Sequence, residues 1–386
     1  MRIILVAPTY LPSRRANTVQ VMKMAQALTS LGHQVRVLVP GGGLDDRHPD
    51  WGELAHHYGL RHRFSVEWLP TRMNFRGYDY GFKAVREAQL WKADLLYTRL
   101  PQAGAFASNL GVGTVLEVHD LPQGKLGPWL LRRFLRGRGA RRLVLISQSL
   151  QEDLARVFGV PVEPPFALIA PDGVDLERYQ DVPSPPEARE ALSADRQIDP
   201  PLPVDGFIAG YSGHLYQGRG VKLILALAAR MPQVTFLLAG GETGEVERLR
   251  DQIKKDDLTN VRLIGFVPNA VLPRYQAACD VLLMPYQRYV AASSGGDIAR
   301  YLSPMKLFEY LACGRAILSS DLPVLQEVLN QWNALLLPAE DVDAWVVALQ
   351  ALMADPGLRN ALARQAREDA LEYTWTGRAR RILDGL

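Results

Sequence analysis

The stretch GFIAGYSGHLYQGRGVKLILALAARMPQVTFLLA, residues 206–239, decides the fold. It opens with the apolar run Gly206–Tyr211, breaks into a turn carrying Gly213, Gly218 and Gly220, continues in a helical pattern from Val221, and closes with the apolar run Val234–Ala239. Strand, glycine turn, helix and strand in that order make a crossover, and a crossover joins parallel strands. The same alternation continues outward in both directions. Toward the C-terminus, Val261–Gly265, Asp280–Met284, Ala316–Ser319 and Ala334–Leu337 read as strands. Toward the N-terminus the strand candidates are Arg2–Ala7, Gln34–Val39, Phe64–Trp68, Asp94–Tyr97, Thr114–Val118 and Leu143–Ile146, with a helix over Thr18–Leu31 closed by Gly32. Asp181–Pro203, rich in proline and charge, separates the two series. The pattern predicts an α/β chain of two doubly wound, Rossmann-like domains facing a central cleft. The expected boundaries are 1–180 for the first domain, 181–205 for a linker and 206–366 for the second. The last segment, 367–386, is expected to form a helix that crosses back to the first domain.

Composition narrows the function classes. The 386 residues are 48% hydrophobic and 22% charged, enough for two cores, so disorder and fibrous repeats are excluded. The two cysteines, Cys279 and Cys313, sit in apolar segments with no second Cys or His at ligand spacing; a disulfide scaffold and a zinc site are not expected. The first apolar run is too short for a signal peptide, and no run approaches the roughly 20 residues that span a bilayer, so a cytoplasmic protein is expected. Net charge is +3, which argues against a nucleic-acid partner, but the average hides an asymmetry. Up to Tyr179 there are 23 Lys and Arg against 16 Asp and Glu; the remainder has 21 against 25. RRFLRGRGARR, 132–142, holds six of those arginines. It reads either as a solvated surface or as a patch for anionic lipid headgroups, where each basic residue contributes about 1 kcal/mol.

Two segments have the chemistry of an anion site. In SPMKLFEYLACG, 303–314, Ser303 reads as a helix N-cap with Pro304 at the first helical position. Lys306 then falls in the first turn, where the helix dipole disfavours a cation and an anion would offset it. Glu309, three residues on, shares its face and is suited to accept hydrogen bonds from sugar or ribose hydroxyls; the alternative is a surface Lys–Glu pair. In the turn 210–224, the glycines are read as letting backbone approach a ligand, while His214 and Arg219 supply donors for a diphosphate. The glycine spacing does not match the dinucleotide pattern G-x-G-x-x-G. In the first half, EVHD, 117–120, places His119 at the carboxyl end of a strand, either as a ligand-facing group or as a structural one. The polar turn APTYLPSRRANTVQ, 7–20, is a candidate acceptor loop.

Taken together, these segments resemble, in order and over nearly the whole length, a family 4 retaining glycosyltransferase with the GT-B fold. RIILVAP followed by VQVMKMAQALTSLGHQVRVLVP resembles the family's opening strand, helix and Gly-His-x-Val strand. VLISQSLQEDL and APDGVDLERY resemble the end of its acceptor domain, and VRLIGFVPNAVLPRYQAACDVLLMPY the stretch that holds the nucleotide base. SPMKLFEYLACGRAILSSDLP resembles the signature helix in the branch with an S-P-x-K-x-x-E-Y motif. The resemblance implies Arg219 at the position of the diphosphate-binding lysine, His214 at that of the arginine, and Glu309 as the second acid of E-x7-E, binding ribose. It places backbone near Phe266 and Val267 against the base, Gly213, Ser303 and Met305 around the donor, and His119 near the donor sugar and the reacting centre. The first acid of the motif is replaced by Tyr301, and Asp297, or backbone at Gly295 and Gly296, is the expected substitute. Ser13 and Asn17 stand where the family has a glycine pair and are expected to meet the acceptor.

The implied reaction moves a hexosyl unit from a nucleotide diphosphate sugar to an acceptor hydroxyl with retention and without a metal or other cofactor. Arg219, Lys306 and His214 would stabilise the departing diphosphate where a metal would otherwise act. A sugar or lipid-linked acceptor is the expected partner, with peripheral contact to an anionic membrane through Arg132–Arg142. Two other classes fit the same fold: a nucleotide-sugar epimerase or sugar phosphorylase, and a non-catalytic sugar-binding subunit.

Overall fold

The computed structural model describes residues 1–41, 48–71, 78–159, 163–291 and 296–386. The chain divides into two compact units, Met1–Asp172 with Trp375–Leu386, and Gly173–Thr374. The first unit is built on a seven-stranded sheet of β1 (Arg2–Val6), β2 (Gln34–Gly41), β3 (Ser65–Pro70), β4 (Leu95–Thr98), β5 (Thr114–Val118), β6 (Ala140–Leu145) and β7 (Ala167–Ile169). The strand order is β3-β2-β1-β4-β5-β6-β7, and every pairing is parallel. The second unit carries β8 (Phe207–Ser212), β9 (Val234–Ala239), β10 (Val261–Gly265), β11 (Val281–Met284), β12 (Ala316–Ser320) and β13 (Leu335–Leu337). Their order is β10-β9-β8-β11-β12-β13, again all parallel.

Helices cover these sheets, so their central strands are buried on both faces. That is why β4, β9, β11 and β12 are buried throughout and read as unbroken apolar runs rather than alternating ones. Both sheets reverse direction beside their first strand, between β1 and β4 and between β8 and β11. A doubly wound sheet presents its ligand-binding crevice at such a switch point, beyond the carboxyl ends of the strands.

The units are divided differently from the sequence expectation. Residues 181–205 are not a linker: they are an integral part of the second unit. Pro185–Ala191 is a helix opened by a Ser184–Glu187 capping box, and Ala188, Leu192, Ile198 and Leu202 are buried in that unit's core. Arg189, buried, donates to the carbonyls of Ala278, Val204 and Gly206 at 2.7–2.9 Å and pairs with Asp280. The proline and charge that suggested a linker fix this segment in place. The helix Pro356–Asp369, capped by Asp355, also belongs to the second unit, whereas Trp375–Leu383 belongs to the first. Val174 and Thr374 form a parallel bridge where the chain enters and leaves the second unit.

The glycine turn of 212–220 has a different purpose from the one its composition suggested. A Cβ on Gly218 would lie 2.0 Å from the Tyr289 carbonyl oxygen, and one on Gly220 would lie 1.8 Å from that of Pro285; their φ values are +86° and +80°. These two glycines admit the chain segment that follows β11 rather than a ligand. Gly32, also at positive φ, has nothing within 4 Å of its Cβ position. Gly32→Ala is therefore expected to cost only the left-handed strain of about 1–2 kcal/mol. Gly220→Ala adds a backbone collision and is expected to exceed about 4 kcal/mol, or to prevent folding. Urea unfolding of the two variants distinguishes these outcomes; equal losses would contradict the packing role.

Candidate active site

In the second unit the proposed donor residues lie at the carboxyl ends of β8 and β10 and at the start of the helix Met305–Cys313. That helix begins one residue later than expected. Pro304 is the N-cap and makes no side-chain cap, so Ser303 lies outside it and Met305 is the first helical residue. Lys306 is second, inside the first turn. Its ammonium sits 3.7 Å from the centre of the Tyr211 ring and 5.4 Å from that of Tyr286. Among the described residues the buried Lys306 Nζ has no hydrogen-bond partner. Burial first, then the charge of Arg219, holds it well below the usual lysine range, with Glu309 opposing. The Arg219 guanidinium lies 5.1 Å from the Tyr286 ring centre, and its buried Nε is likewise unpartnered among the described residues. Aromatic faces attract cations but do not replace hydrogen bonds.

Gly213 is the one glycine of the turn that opens toward these cations: its Cβ would fall 2.8 Å from Lys306 Nζ. Its N–H donates to the Ala239 carbonyl at 2.9 Å, which sets the turn beside the end of β9. Tyr211 Oη donates to the His214 carbonyl at 2.5 Å, and the His214 ring stacks on Tyr216 at 4.6 Å. Phe266 and Val267 follow β10 directly, with Val267 in the core.

Glu309 is buried one turn beyond Lys306 and is held by cationic and amide groups that the sequence did not reveal. Arg178 approaches at 3.6 Å, Asn269 Nδ2 at 3.4 Å and Gln276 Nε2 at 3.4 Å. Gln276 also donates to Ser212 Oγ at 3.1 Å and accepts from Tyr179 Oη at 2.7 Å. Glu309 is thus a fixed carboxylate, not half of a surface Lys–Glu pair.

Asp297 Oδ1 accepts from the backbone of Val290 and Ala299, each at 2.9 Å, so this oxygen of the carboxylate closes its own loop. Tyr301 is buried. Gly295 lies outside the described residues, and Gly296, at φ +89°, is exposed.

In the first unit, His119 follows β5 and is one-fifth exposed; Glu117, two residues earlier on the same side of the strand, is fully buried. Glu117 collects four donors. Gln20 Nε2 and Arg378 reach Oε1 at 2.6 and 3.0 Å, His119 Nε2 reaches the same oxygen, and Tyr97 Oη donates to Oε2. Burial opposes its ionisation, but Arg378, His119 and Arg99 outweigh burial and hold the carboxyl far below its ordinary range. His119 is lowered to about 4 by burial and Arg99, with Glu117 opposing, so the imidazole is neutral at pH 7. Asp172 is raised to about 7, chiefly by burial. The EVHD spacing was a usable signal for Glu117. No local pattern pointed to Arg378, which arrives from the C-terminal helix.

Ser13 anchors its loop rather than standing free: its N–H donates to Tyr58 Oη at 2.7 Å and its carbonyl accepts from the same hydroxyl at 3.1 Å. Asn17 is half-buried at the start of the helix Ala16–Ser30. Of the six arginines in 132–142, Arg142 is buried and donates to the carbonyls of Arg381, Ile382 and Asp384, capping the C-terminal helix. The other five are exposed, as are Leu126 and Trp129 on the adjoining helix Leu126–Leu135. A cavity of about 770 Å³ between Trp51, Trp68 and Trp91 contains none of the predicted residues. Among the described residues no group of three or more His, Cys, Asp or Glu is arranged for a metal, and no helix is long and apolar enough to cross a membrane.

Residues 18–178 match the sequence model described as Glycosyltransferase Family 4, and residues 195–369 match that of glycosyl transferases group 1, so that the two together account for most of the chain. The chain belongs to this glycosyltransferase family. Phosphatidyl-myo-inositol mannosyltransferase of Mycolicibacterium smegmatis is 25% identical over 97% of this glycosyltransferase and 91% of its own length. D-inositol 3-phosphate glycosyltransferase of Xylanimonas cellulosilytica is 28% identical over 77% and 67%. Among solved structures, Anabaena Alr3699/HepE in complex with UDP and glucose superposes with a TM-score of 0.73 at 18% identity over the full length of both chains. Sucrose-phosphate synthase from Thermosynechococcus elongatus gives 0.74 at 18%, over 99% and 97%. The two parallel sheets and these neighbours give the glycosyltransferase the GT-B fold.

The lowered His119 carries a pH signature. A histidine that titrates near 4 when folded and 6.5 when unfolded contributes stability that is complete above 6.5 and is lost as pH falls toward 4. His119→Asn removes that component, so between pH 7 and pH 5 it should lose about 2 kcal/mol less stability than the parent. Urea unfolding at both pH values measures this. An unchanged difference would mean that His119 is not held neutral.

Proposed function

We propose that this glycosyltransferase moves a hexosyl unit from a UDP- or GDP-linked sugar to an acceptor hydroxyl, with retention at the anomeric carbon and without a metal, in glycan or glycolipid biosynthesis. The observation that carries the reading is the pair of cations at the switch point of the second unit, Lys306 and Arg219, with unpartnered buried nitrogens among the described residues. A diphosphate supplies the missing acceptors and charge. As the bond to the sugar breaks, that diphosphate gains negative charge, so contacts already in place count for more in the transition state than in the ground state. His214 and the first-turn amides at Met305 and Lys306 add donors. Glu309, fixed by Arg178 and two amides, has an acceptor role toward ribose hydroxyls, and the backbone at Phe266 and Val267 lies where the base is expected. His119 orients the donor sugar; no side chain is assigned as nucleophile.

The UDP-glucose complex of the HepE neighbour and the mannosyltransferase relative support the substrate class. A sugar or lipid-linked acceptor is consistent with the exposed Leu126 and Trp129 beside Arg132, Arg133 and Arg136, a surface suited to peripheral attachment at an anionic membrane face.

A thermal-shift panel with UDP, GDP, ADP and their sugars tests the donor. One nucleotide family should stabilise the protein, by about 2.7 kcal/mol at 100 times its Kd. With the donor so identified, Lys306→Ala and Arg219→Ala should each lower kcat by roughly 10²–10³, as loss of an oxyanion donor does elsewhere. Full turnover in both variants, or no shift with any nucleotide, would overturn the assignment.

A further inference from the structure

The Glu117 cluster contains more machinery than a structural ion pair requires. A carboxylate can only accept hydrogen bonds, so the ring nitrogen of His119 that faces it, Nε2, must carry the proton. With the imidazole neutral, Nδ1 is then a hydrogen-bond acceptor, and among the described residues nothing occupies it. For this to hold, Glu117 must remain ionised although it is fully buried. Arg378 keeps it so. Its guanidinium pairs with Glu117 at 3.0 Å, donates to Tyr97 Oη at 3.2 Å, and is itself locked onto the carbonyls of Ala170 and Pro171 at 2.9–3.3 Å. Arg99 adds a second cation and donates to Gln20 Oε1 at 3.2 Å, while the other end of Gln20 reaches Glu117.

We infer that Glu117 and Arg378 are positioning residues: together they fix His119 as a neutral imidazole protonated on Nε2, with Nδ1 presented as an acceptor at the carboxyl end of β5. The C-terminal helix Trp375–Leu383 therefore determines the protonation state of a site group about 260 residues away in sequence. The groups acting on His119 and Glu117 are Arg99 and Arg378 on both, and Asp172, Tyr97 and Gln20 on Glu117. Arg99 and Arg378 oppose an imidazolium, and Glu117 favours one. The two partners thus act on the ring in opposite directions, which simple packing would not do.

The importance of this device to turnover rests on the reading of His119 as a site residue; the device itself is tested without substrate. The full chain labelled with ¹⁵N-histidine, with His119 assigned by the spectrum lost in His119→Asn, reports tautomer and midpoint by NMR. In the parent, Nε2 should be protonated, Nδ1 bare, and the ring neutral down to pH 5. Arg378→Met should raise the midpoint by at least one pH unit, because His119 then supplies the proton that balances Glu117. Arg378→Lys, which keeps the cation, should stay near the parent value. Glu117→Gln should lower the midpoint and abolish the Nε2 preference. An Nδ1-protonated parent, or an unmoved midpoint in both Arg378→Met and Glu117→Gln, would overturn the inference. If Arg378→Met does not fold, the parent tautomer and the midpoint of Glu117→Gln still decide it: an Nδ1-protonated parent or an unmoved Glu117→Gln midpoint overturns the inference. Failure of every nucleotide to bind would refute the function and leave these NMR outcomes unaffected.

Discussion

Lys306 and Arg219 are two like charges brought together at the end of a sheet with no carboxylate within ion-pair distance among the described residues. A buried ammonium without a partner costs several kcal/mol, and a neighbouring cation raises that cost. The surroundings limit the penalty without cancelling it. Tyr211 and Tyr286 offer ring faces, the Lys306 stem is partly exposed, and Gly213 leaves room that any Cβ would fill. The Gly218 and Gly220 contacts then fix the segment after β11, which carries Tyr286, against the turn that carries Arg219. Fold stability and the proposed anion affinity draw on the same contacts.

The first unit solves the opposite problem. There a buried carboxylate, Glu117, is surrounded by donors from two helices, from β4 and from the residue that follows β5 until its charge is compensated. One unit holds buried cationic nitrogens without hydrogen-bond partners among the described residues, and the other holds a buried anion already satisfied.

The fold was legible because both sheets are parallel and buried, which leaves unbroken apolar runs separated by helices. β7 was missed, since three residues are too few to show a period. The boundary was misplaced because Arg189 makes a charged, proline-flanked segment part of the core through contacts 15–91 residues distant in sequence. Lys306, Glu309, Arg219 and His119 were singled out by their positions at strand ends and the helix start. What surrounds them was not: Arg178 and Gln276 reach Glu309 from segments read only for their family resemblance, and Arg378 reaches Glu117 from the C-terminal helix. The loop bonds of Asp297 were not legible either, because proximity in sequence to the missing acid says nothing about which backbone amides its carboxylate caps.

Isothermal titration of the stabilising nucleoside diphosphate across a pH series, in buffers of different ionisation enthalpy, tests the uncompensated Lys306 amine most directly. Because Lys306 is held below its ordinary range when free and regains a partner when the diphosphate binds, binding should take up protons, and affinity should weaken as pH rises. Lys306→Met should abolish the uptake. Binding with no proton uptake, or with the same uptake in the Lys306→Met variant, would contradict the account.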